Sequence, residues 1–235
     1  MVTTNGEPLP EISTRGQRYE GICDVLLSIV TTGCYWGGNQ HARLWSNAIN
    51  RIANPAWDRN GVYTVLVSLN RYPALLLTYG AGLAAMANAN YEVLWHILSK
   101  PRPLDDSPSY PLLRYLPHDH IGIGKRITLR QLFKTRLRDL LPVEEDFHAC
   151  FNKLEYLMGL VAFDLTKGFV LVGWRICSPS HDPPELSGQL ALLSETKQAQ
   201  NAHPLFRAGF FGGSVDRYLE LMGKYNEIIS QGRAF

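Results

Sequence analysis

The chain has 235 residues, of which 46% are hydrophobic and 11% are aromatic. This composition excludes a largely disordered chain, because it provides enough apolar side chain to bury a substantial core. The 23 Lys and Arg residues nearly balance the 21 Asp and Glu residues, so the formal net charge of +2 gives no overall attraction to nucleic acid or to an anionic membrane.

The cysteines predict a reduced, cytoplasmic protein. The four are Cys23, Cys34, Cys150 and Cys177, and they form neither a CxxC pair nor a metal-ligand spacing. The N-terminus is polar and contains proline, so we expect a flexible lead-in rather than a signal peptide. The most apolar run, residues 74–87, is shorter than the ~20 residues that a membrane helix needs. The sequence therefore predicts no membrane partner.

The N-terminal part of the chain is predicted to form successive helices. Thr14 and Gln17 have the spacing of a capping box, and apolar residues then recur at helical period until Gly33 ends the run. The apolar residues of this predicted first helix are Ile22, Cys23, Leu26, Ile29 and Val30. Asn39 is predicted to cap a second helix that ends at Asn54, before a proline. The apolar side of this second helix is Leu44, Trp45, Ala48, Ile49 and Ile52.

A third helix is predicted over residues 61–70, and a helical hairpin over Tyr72–Ser99. Pro73 suits the first turn of its first helix, and Asn90 suits the N-cap of its second. Small Ala and Gly residues allow the backbones to approach closely. The pattern is similar to a single tetratricopeptide-type hairpin, and no second copy follows at a fixed period.

Five prolines lie between Lys100 and Gly124 and predict a long loop or linker. This loop separates an N-terminal helical lobe, residues 1–99, from a C-terminal helical lobe, residues 125–235. The sequence leaves open whether the two form one domain. Phe169–Ile176 is the one stretch more typical of a strand. The predicted fold class is therefore mainly α, an irregular multi-helix bundle with at most a small β element near Phe169–Ile176.

The run Gly33-Cys34-Tyr35-Trp36-Gly37 resembles the GC(F/Y)WG signature of peptide methionine sulfoxide reductase A, in which the cysteine attacks the sulfoxide sulfur. Where that family carries a catalytic glutamate shortly after the signature, this chain has Gly38 and Asn39. Structurally, the same residues are typical of a helix end and a turn, with Tyr35 and Trp36 packing over the core. Cys34 is thus the candidate nucleophile of one alternative function, a thiol-dependent oxidoreductase.

Two further motifs are weak candidates for a nucleotide-binding or metal-binding site. Gly122-Ile123-Gly124-Lys125 lacks the spacing of a Walker A loop, and no Ser or Thr follows the lysine. His118-Asp119-His120 offers fewer ligands than the three or four that zinc needs, and no second cluster is near in sequence. We therefore expect neither a cofactor nor a metal ion.

The strongest local charge signal is a predicted basic helix. Six basic residues and no acidic residue occur between Ile121 and Arg138. Arg130, Lys134 and Arg138 follow one another at a spacing of four, on the side opposite the leucines, and Arg126 continues the series. Such a face is suited to an acidic protein surface or to nucleic-acid phosphates. The alternatives are a solvated face or pairing with Glu144 or Glu145 of the same chain.

Three short blocks together resemble the helical C-terminal regions of large multidomain bacterial proteins. The N-terminal domains of those proteins resemble sirtuin-like or Schlafen-type defence effectors. The blocks are Thr32–Gly37 with His41 and Leu44-Trp45, then Arg71–Ala85 with Asn90-Tyr91, then Phe210–Ser214. The resemblance implies an accessory role in antiviral defence and carries over no catalytic residue.

These observations favour a non-enzymatic helical interaction or scaffold module, accessory to a bacterial defence effector, with a protein partner. The two alternatives are the oxidoreductase that uses Cys34 and a nucleic-acid-binding accessory that uses the basic helix. The sequence does not identify the partner, the substrate or the oligomeric state. It also leaves open whether the chain acts alone or belongs to a larger protein, and whether Lys100–Gly124 covers a pocket.

Overall fold

The computed structural model of the chain describes residues 10–54, 69–103, 110–116, 125–168 and 184–230. In these ranges it contains nine α-helices and no strand, so the mainly α prediction is confirmed. The helices are α1 Pro10–Trp36, α2 Ala42–Ala53, α3 Tyr72–Ala87, α4 Tyr91–Ser99, α5 Lys125–Arg136, α6 Glu144–Leu165, α7 Pro184–Ala199, α8 Pro204–Arg207 and α9 Val215–Ser230. The predicted β element, Phe169–Ile176, lies outside the described residues.

Helix α3 is the centre of the fold. Of its 16 residues, all but Pro73 and Ala87 are buried. Two glycines allow its neighbours to pack closely: a Cβ at Gly80 would lie 2.4 Å from Leu27 of α1, and a Cβ at Gly82 would lie 2.9 Å from Leu154 of α6. The small residues that predicted close packing in this segment therefore place α3 between α1 and α6.

The hairpin prediction for Tyr72–Ser99 is confirmed. Helices α3 and α4 follow each other with a three-residue turn between them, and Pro73 lies in the first turn of α3. The Asn90 side chain caps α4 by accepting a hydrogen bond from the Val93 N–H at 3.3 Å. The cap satisfies one of the backbone donors that a helix N-terminus leaves without an intrahelical partner.

Helix α1 differs from the prediction at both ends. It begins at Pro10, so Thr14 lies inside the helix rather than at its cap, and it continues through Gly33 to Trp36. Gly33 does not end the helix because Trp45 of α2 fills the space beside it: a Cβ there would lie 2.1 Å from the indole ring. Polar contacts fix α1 to the rest of the fold, since the Tyr72 hydroxyl bonds the Glu20 carboxylate at 2.6 Å and Arg136 pairs with Asp24 at 2.7 Å.

The second predicted helix also begins differently. A short 3-10 turn spans Asn39–His41, and α2 starts at Ala42 with His41 as the preceding residue, so Asn39 is not its cap. Ile49 is buried, and Trp45 and Ile52 are half-buried against the core. Leu44 is 55% exposed and does not belong to the inner face. Of the predicted third helix, residues 61–68 lie outside the described part of the chain.

One apolar core joins the helices on both sides of the proline-rich segment. It contains Leu27 and Leu77 from the first part of the chain and Phe151 and Tyr218 from the second. Within the segment, a 3-10 turn at Leu112–Tyr115 buries its first two leucines in the same core. The division into two lobes remains a prediction. In the described ranges, no helix has the length and apolar character needed to cross a membrane.

Candidate functional site

Cys34 lies on the buried side of α1, in its last turn. The side chain is 0% exposed, and burial raises the pKa of the thiol to about 12. Because the thiolate is the form that attacks a sulfoxide or a disulfide, a protonated thiol without access to solvent is poorly suited to that chemistry. The neighbourhood of Cys34 is that of a small apolar core residue.

The glycines beside Cys34 serve the packing of the helix end. The Gly37 N–H donates to the Gly33 carbonyl at 2.9 Å, and a Cβ at Gly37 would lie 2.1 Å from that same oxygen. Tyr35 is half-buried against the core, as expected, but Trp36 is 73% exposed, so the prediction that it packs over the core is wrong. The Trp36 ring instead meets the Tyr35 ring edge-on, with 4.7 Å between the centroids.

The basic helix is α5, and part of its charge is used inside the molecule. The Arg130 guanidinium donates to Asn152 Oδ1 at 2.6 Å and lies 4.7 Å from the centroid of the Phe151 ring. The Lys134 ammonium pairs with Glu144 at 2.5 Å. Arg138 is exposed, and the Arg126 side chain lies outside the described part of the structure. The four predicted binding residues therefore do not form one free cationic face.

The contact of Lys134 with Glu144 belongs to a small surface network. Hydrogen bonds from Lys134 and His148 hold the pKa of Glu144 below its ordinary value. Arg136, two residues after Lys134 and therefore on the opposite side of α5, reaches Asp24 and the Glu20 carbonyl of α1. The basic residues of α5 thus connect it to α6 on one side and to α1 on the other.

Two of the three sequence blocks meet where α1 ends and α4 begins. Asn88 Nδ2 donates to the Tyr35 carbonyl at 2.6 Å, and Asn90 Nδ2 donates to the Gly37 carbonyl at 3.0 Å. These two amides satisfy backbone carbonyls at the end of α1. On the other side of α4, the Trp95 ring packs against Phe210, with centroids 4.9 Å apart.

A polar cleft of about 240 Å³ lies beside the N-terminal end of α4. Asn39 donates a hydrogen bond to the Glu92 carboxylate across it, and Arg207 brings a positive charge to the rim. The residues that line it are Asn39, Ala89, Asn90, Tyr91, Glu92, Pro204, Arg207 and Ala208. Among these described lining residues there is no cysteine, serine, threonine or histidine, so none of them forms a Ser–His or Cys–His pair.

Two of the remaining motifs, His118-Asp119-His120 and Gly122-Ile123-Gly124, lie outside the described residues. In the ranges that the structure covers, no group of three His, Cys, Asp or Glu side chains is arranged to hold a metal ion. Among the described histidines, His203 is buried, and its Nδ1 accepts a hydrogen bond from the Leu205 N–H at 3.2 Å. It caps α8 and has a structural role.

The main surface feature that sequence reasoning missed is on α1. Ile22, Val25, Ile29 and Trp36 are 72%, 73%, 54% and 73% exposed, respectively. At 100° per residue they fall within an arc of about 60° on one side of the helix. We call these four residues the α1 outer stripe. Ile22 and Ile29 belong to the apolar set predicted for the first helix, but they lie on its outer side, while Cys23, Leu27, Val30 and Cys34 face the core.

A signal for the α1 outer stripe was present in the sequence. Its members are separated by three, four and seven residues, which is the spacing of one helix face.

Comparison of the chain with protein-family models, with curated proteins and with solved structures found no match.

Proposed function

We propose that the chain is a non-enzymatic helical interaction module that binds a protein through the α1 outer stripe. The observation that carries the proposal is the contrast between the two sides of α1. Leu27, Val30 and Cys34 are at most 2% exposed on the inner side, while every member of the outer stripe is at least 54% exposed. Single exposed apolar side chains are common, but four along one helix face are typical of an interaction site.

The geometry of the stripe suits a protein partner. From Ile22 to Trp36 the helix rises about 21 Å, which is the length of a typical helix–helix contact. Trp36, at one end, has the large amphipathic side chain that is enriched at binding hot spots. Since α1 is anchored by Leu27 and by the pairing of Asp24 with Arg136, the stripe is presented on a fixed element.

The two alternatives have less support. The burial of Cys34 and the raised pKa of its thiol oppose an oxidoreductase mechanism. Arg130 is bonded to Asn152, and Lys134 is paired with Glu144. The basic helix therefore has fewer charges for binding phosphates than its sequence suggested. Nucleic-acid binding would weaken steeply with salt and with Arg138→Glu, so a salt titration separates it from apolar docking.

Two parts of the proposal, the role in bacterial defence and the cytoplasmic location, rest on the sequence. The three blocks that resemble bacterial defence proteins support a role as an accessory to such an effector. The cysteine pattern, with Cys23, Cys34 and Cys150 all unpaired and buried, supports a reducing, cytoplasmic setting.

The test is a binding experiment with three baits: the wild-type chain, Val25→Glu and Leu190→Glu. Leu190 is the matched control, because it is an exposed leucine, 55% accessible, on a different helix. The tagged chains are incubated with an extract of the source cells, and each captured protein is then purified and titrated against the three baits. We expect the captured protein, which can be another protein or untagged copies of this chain, to bind the wild type and Leu190→Glu. Its affinity for Val25→Glu should be at least tenfold lower. Equal binding to all three baits, or no capture by any, would refute the proposal.

A further inference from the structure

We propose that the occupant of the α1 outer stripe is a second copy of this chain, whose α1 packs antiparallel against the first. This inference rests on the proposed function and names its partner. Three features of α1 support it: the spacing of the stripe, the pairing that an antiparallel register creates, and the positive charge near the N-terminal end of the stripe.

The spacing of the stripe is that of a coiled-coil seam. Ile22, Val25, Ile29, Thr32 and Trp36 alternate in steps of three and four residues, and all five are exposed. A seam with this repeat buries its side chains against a helix with the same repeat. Every copy of the chain supplies such a helix, and a two-fold interface places the same surface on both sides.

An antiparallel register makes the stripe complementary to itself. With the two-fold axis beside Leu27, Val25 of one chain lies opposite Ile29 of the other, and Ile22 lies opposite Thr32. The two Val25–Ile29 contacts form the apolar centre of the pair. The polar Thr32 and the single Trp36 then fall towards the ends, where the rim of an interface is normally more polar.

The charge near the ends of the stripe favours this orientation. Arg18 is exposed and lies one helical step before Ile22 on the same side of α1. In the antiparallel register its guanidinium meets the exposed Trp36 ring of the other chain, which is a favourable cation–π pair. A parallel pair would instead bring the two Arg18 side chains together. The acids that follow Arg18 in α1 do not compensate that repulsion, since Glu20 accepts a hydrogen bond from the Tyr72 hydroxyl and Asp24 is paired with Arg136.

The area of the stripe indicates how strong the dimer should be. Its four side chains expose about 500 Å² of apolar surface per chain, so a pair would bury about 1,000 Å². That value lies at the lower end of the range for specific interfaces, and we expect a reversible dimer rather than an obligate one. The dimer should therefore dissociate on dilution.

The first experiment is sedimentation equilibrium of the purified full chain between about 1 and 100 μM, a range suited to a weak interface. We expect the wild type to pass from monomer to dimer in this range. Val25→Glu should raise the dissociation constant at least tenfold, because it places two carboxylates at the centre of the pair, and Leu190→Glu should leave it unchanged. Circular dichroism establishes that each variant is folded. A wild type that is monomeric at the highest concentration, or a dimer indifferent to Val25→Glu, would overturn the proposal.

The second experiment determines orientation. Cys177 lies outside the described residues and is first replaced by serine, while the three other cysteines are buried. Ser28→Cys or Thr32→Cys then provides one accessible thiol for a short bis-maleimide linker. The antiparallel register places Ser28 beside its own copy and separates the two Thr32 side chains by about 15 Å along the axis. We expect Ser28→Cys to be linked and Thr32→Cys not to be. Linkage of Thr32→Cys, which a parallel pair would give, or no linkage of Ser28→Cys would overturn the proposal.

The outcomes distinguish this inference from the proposed function. A chain that remains monomeric but binds a different protein through Val25 would overturn the second-copy inference alone. A chain that is monomeric and binds no protein through the stripe would overturn both. A dimer that requires Val25 and links through Ser28→Cys supports both.

Discussion

Gly188 of α7 packs directly against the backbone of Asn152 in α6. A Cβ at position 188 would lie 2.4 Å from the Asn152 carbonyl oxygen and 2.9 Å from the Lys153 nitrogen. Both are backbone atoms of a helix, so neither moves without displacing α6. The close crossing of α6 and α7 therefore depends on the absence of a side chain at this one position.

The first prediction concerns this crossing. Gly188→Ala should lower the free energy of unfolding by about 2–3 kcal/mol, because overpacking a tight contact forces backbone shifts. Urea denaturation monitored by circular dichroism measures the change. Gly223→Ala is the control, since a Cβ at Gly223 in α9 would meet nothing within 4 Å. It should raise stability by up to about 1 kcal/mol through helix propensity alone. Equal stabilities for the two variants would contradict the packing that we describe.

The second prediction separates two arginines that the sequence places on one basic face. Arg130→Ala should lower the free energy of unfolding by about 1–3 kcal/mol, because it removes a hydrogen-bond donor from the largely buried Asn152. It also removes the cation above the Phe151 ring. Arg138→Ala, at an exposed position, should change stability by less than about 0.5 kcal/mol.

The two arginine variants also bear on experiments with nucleic acid. If Arg130→Ala were as stable as Arg138→Ala, the guanidinium would not be held as the structure places it. If it is destabilised as expected, lost binding by an Arg130 variant reports a damaged fold as readily as a lost phosphate contact. Arg138→Glu is then the cleaner variant for testing the basic helix.

The third prediction concerns pH and His203. Burial lowers the pKa of His203 below its ordinary value of 6.5, and this outweighs the opposing effect of Glu195, whose carboxylate lies 4.0 Å away. Its Nδ1 can accept the hydrogen bond from Leu205 only when it is unprotonated. As pH falls, the unfolded chain takes up this proton before the folded one does. The stability that His203 contributes is therefore present above about pH 6.5 and is lost as pH falls through its folded-state pKa.

Comparison of the wild type with His203→Asn measures this contribution. Asparagine offers a side-chain acceptor for the same cap without titrating in this range. Denaturation curves between pH 7.5 and 5 should show a smaller loss of stability for the variant than for the wild type. His96, whose pKa burial also lowers, is present in both proteins and cancels in the difference. Parallel pH profiles would argue against a buried, neutral His203.

The fourth prediction concerns the cysteines. Cys34 and Cys150, with thiol pKa values that burial raises to about 12, should react with a maleimide only as fast as the chain unfolds. Mass spectrometry of the labelled peptides gives the rate at each site, and the same reagent in denaturant gives the reference. Rapid labelling of Cys34 in the native protein would reopen the oxidoreductase alternative.

The helical character of the chain and several helix ends follow from local patterns in the sequence. Pro73 and Asn90 mark the hairpin correctly because their effects are local: proline lacks a donor that the first turn does not need, and the asparagine amide reaches a backbone N–H three residues away. The prediction that Gly33 ends the first helix is wrong, because glycine also occurs inside a helix where a residue of another helix packs closely against it.

Which side of α1 is buried depends on contacts with distant parts of the chain. Both sides carry apolar residues at helical spacing, so periodicity alone cannot choose between Leu27 and Ile29. The choice depends on Gly80 of α3, which is remote in sequence and leaves room for Leu27. The same is true of the basic helix, where Asn152 and Glu144 from the next helix engage Arg130 and Lys134. Burial and charge pairing are properties of contacts between distant segments, and a local pattern does not specify them.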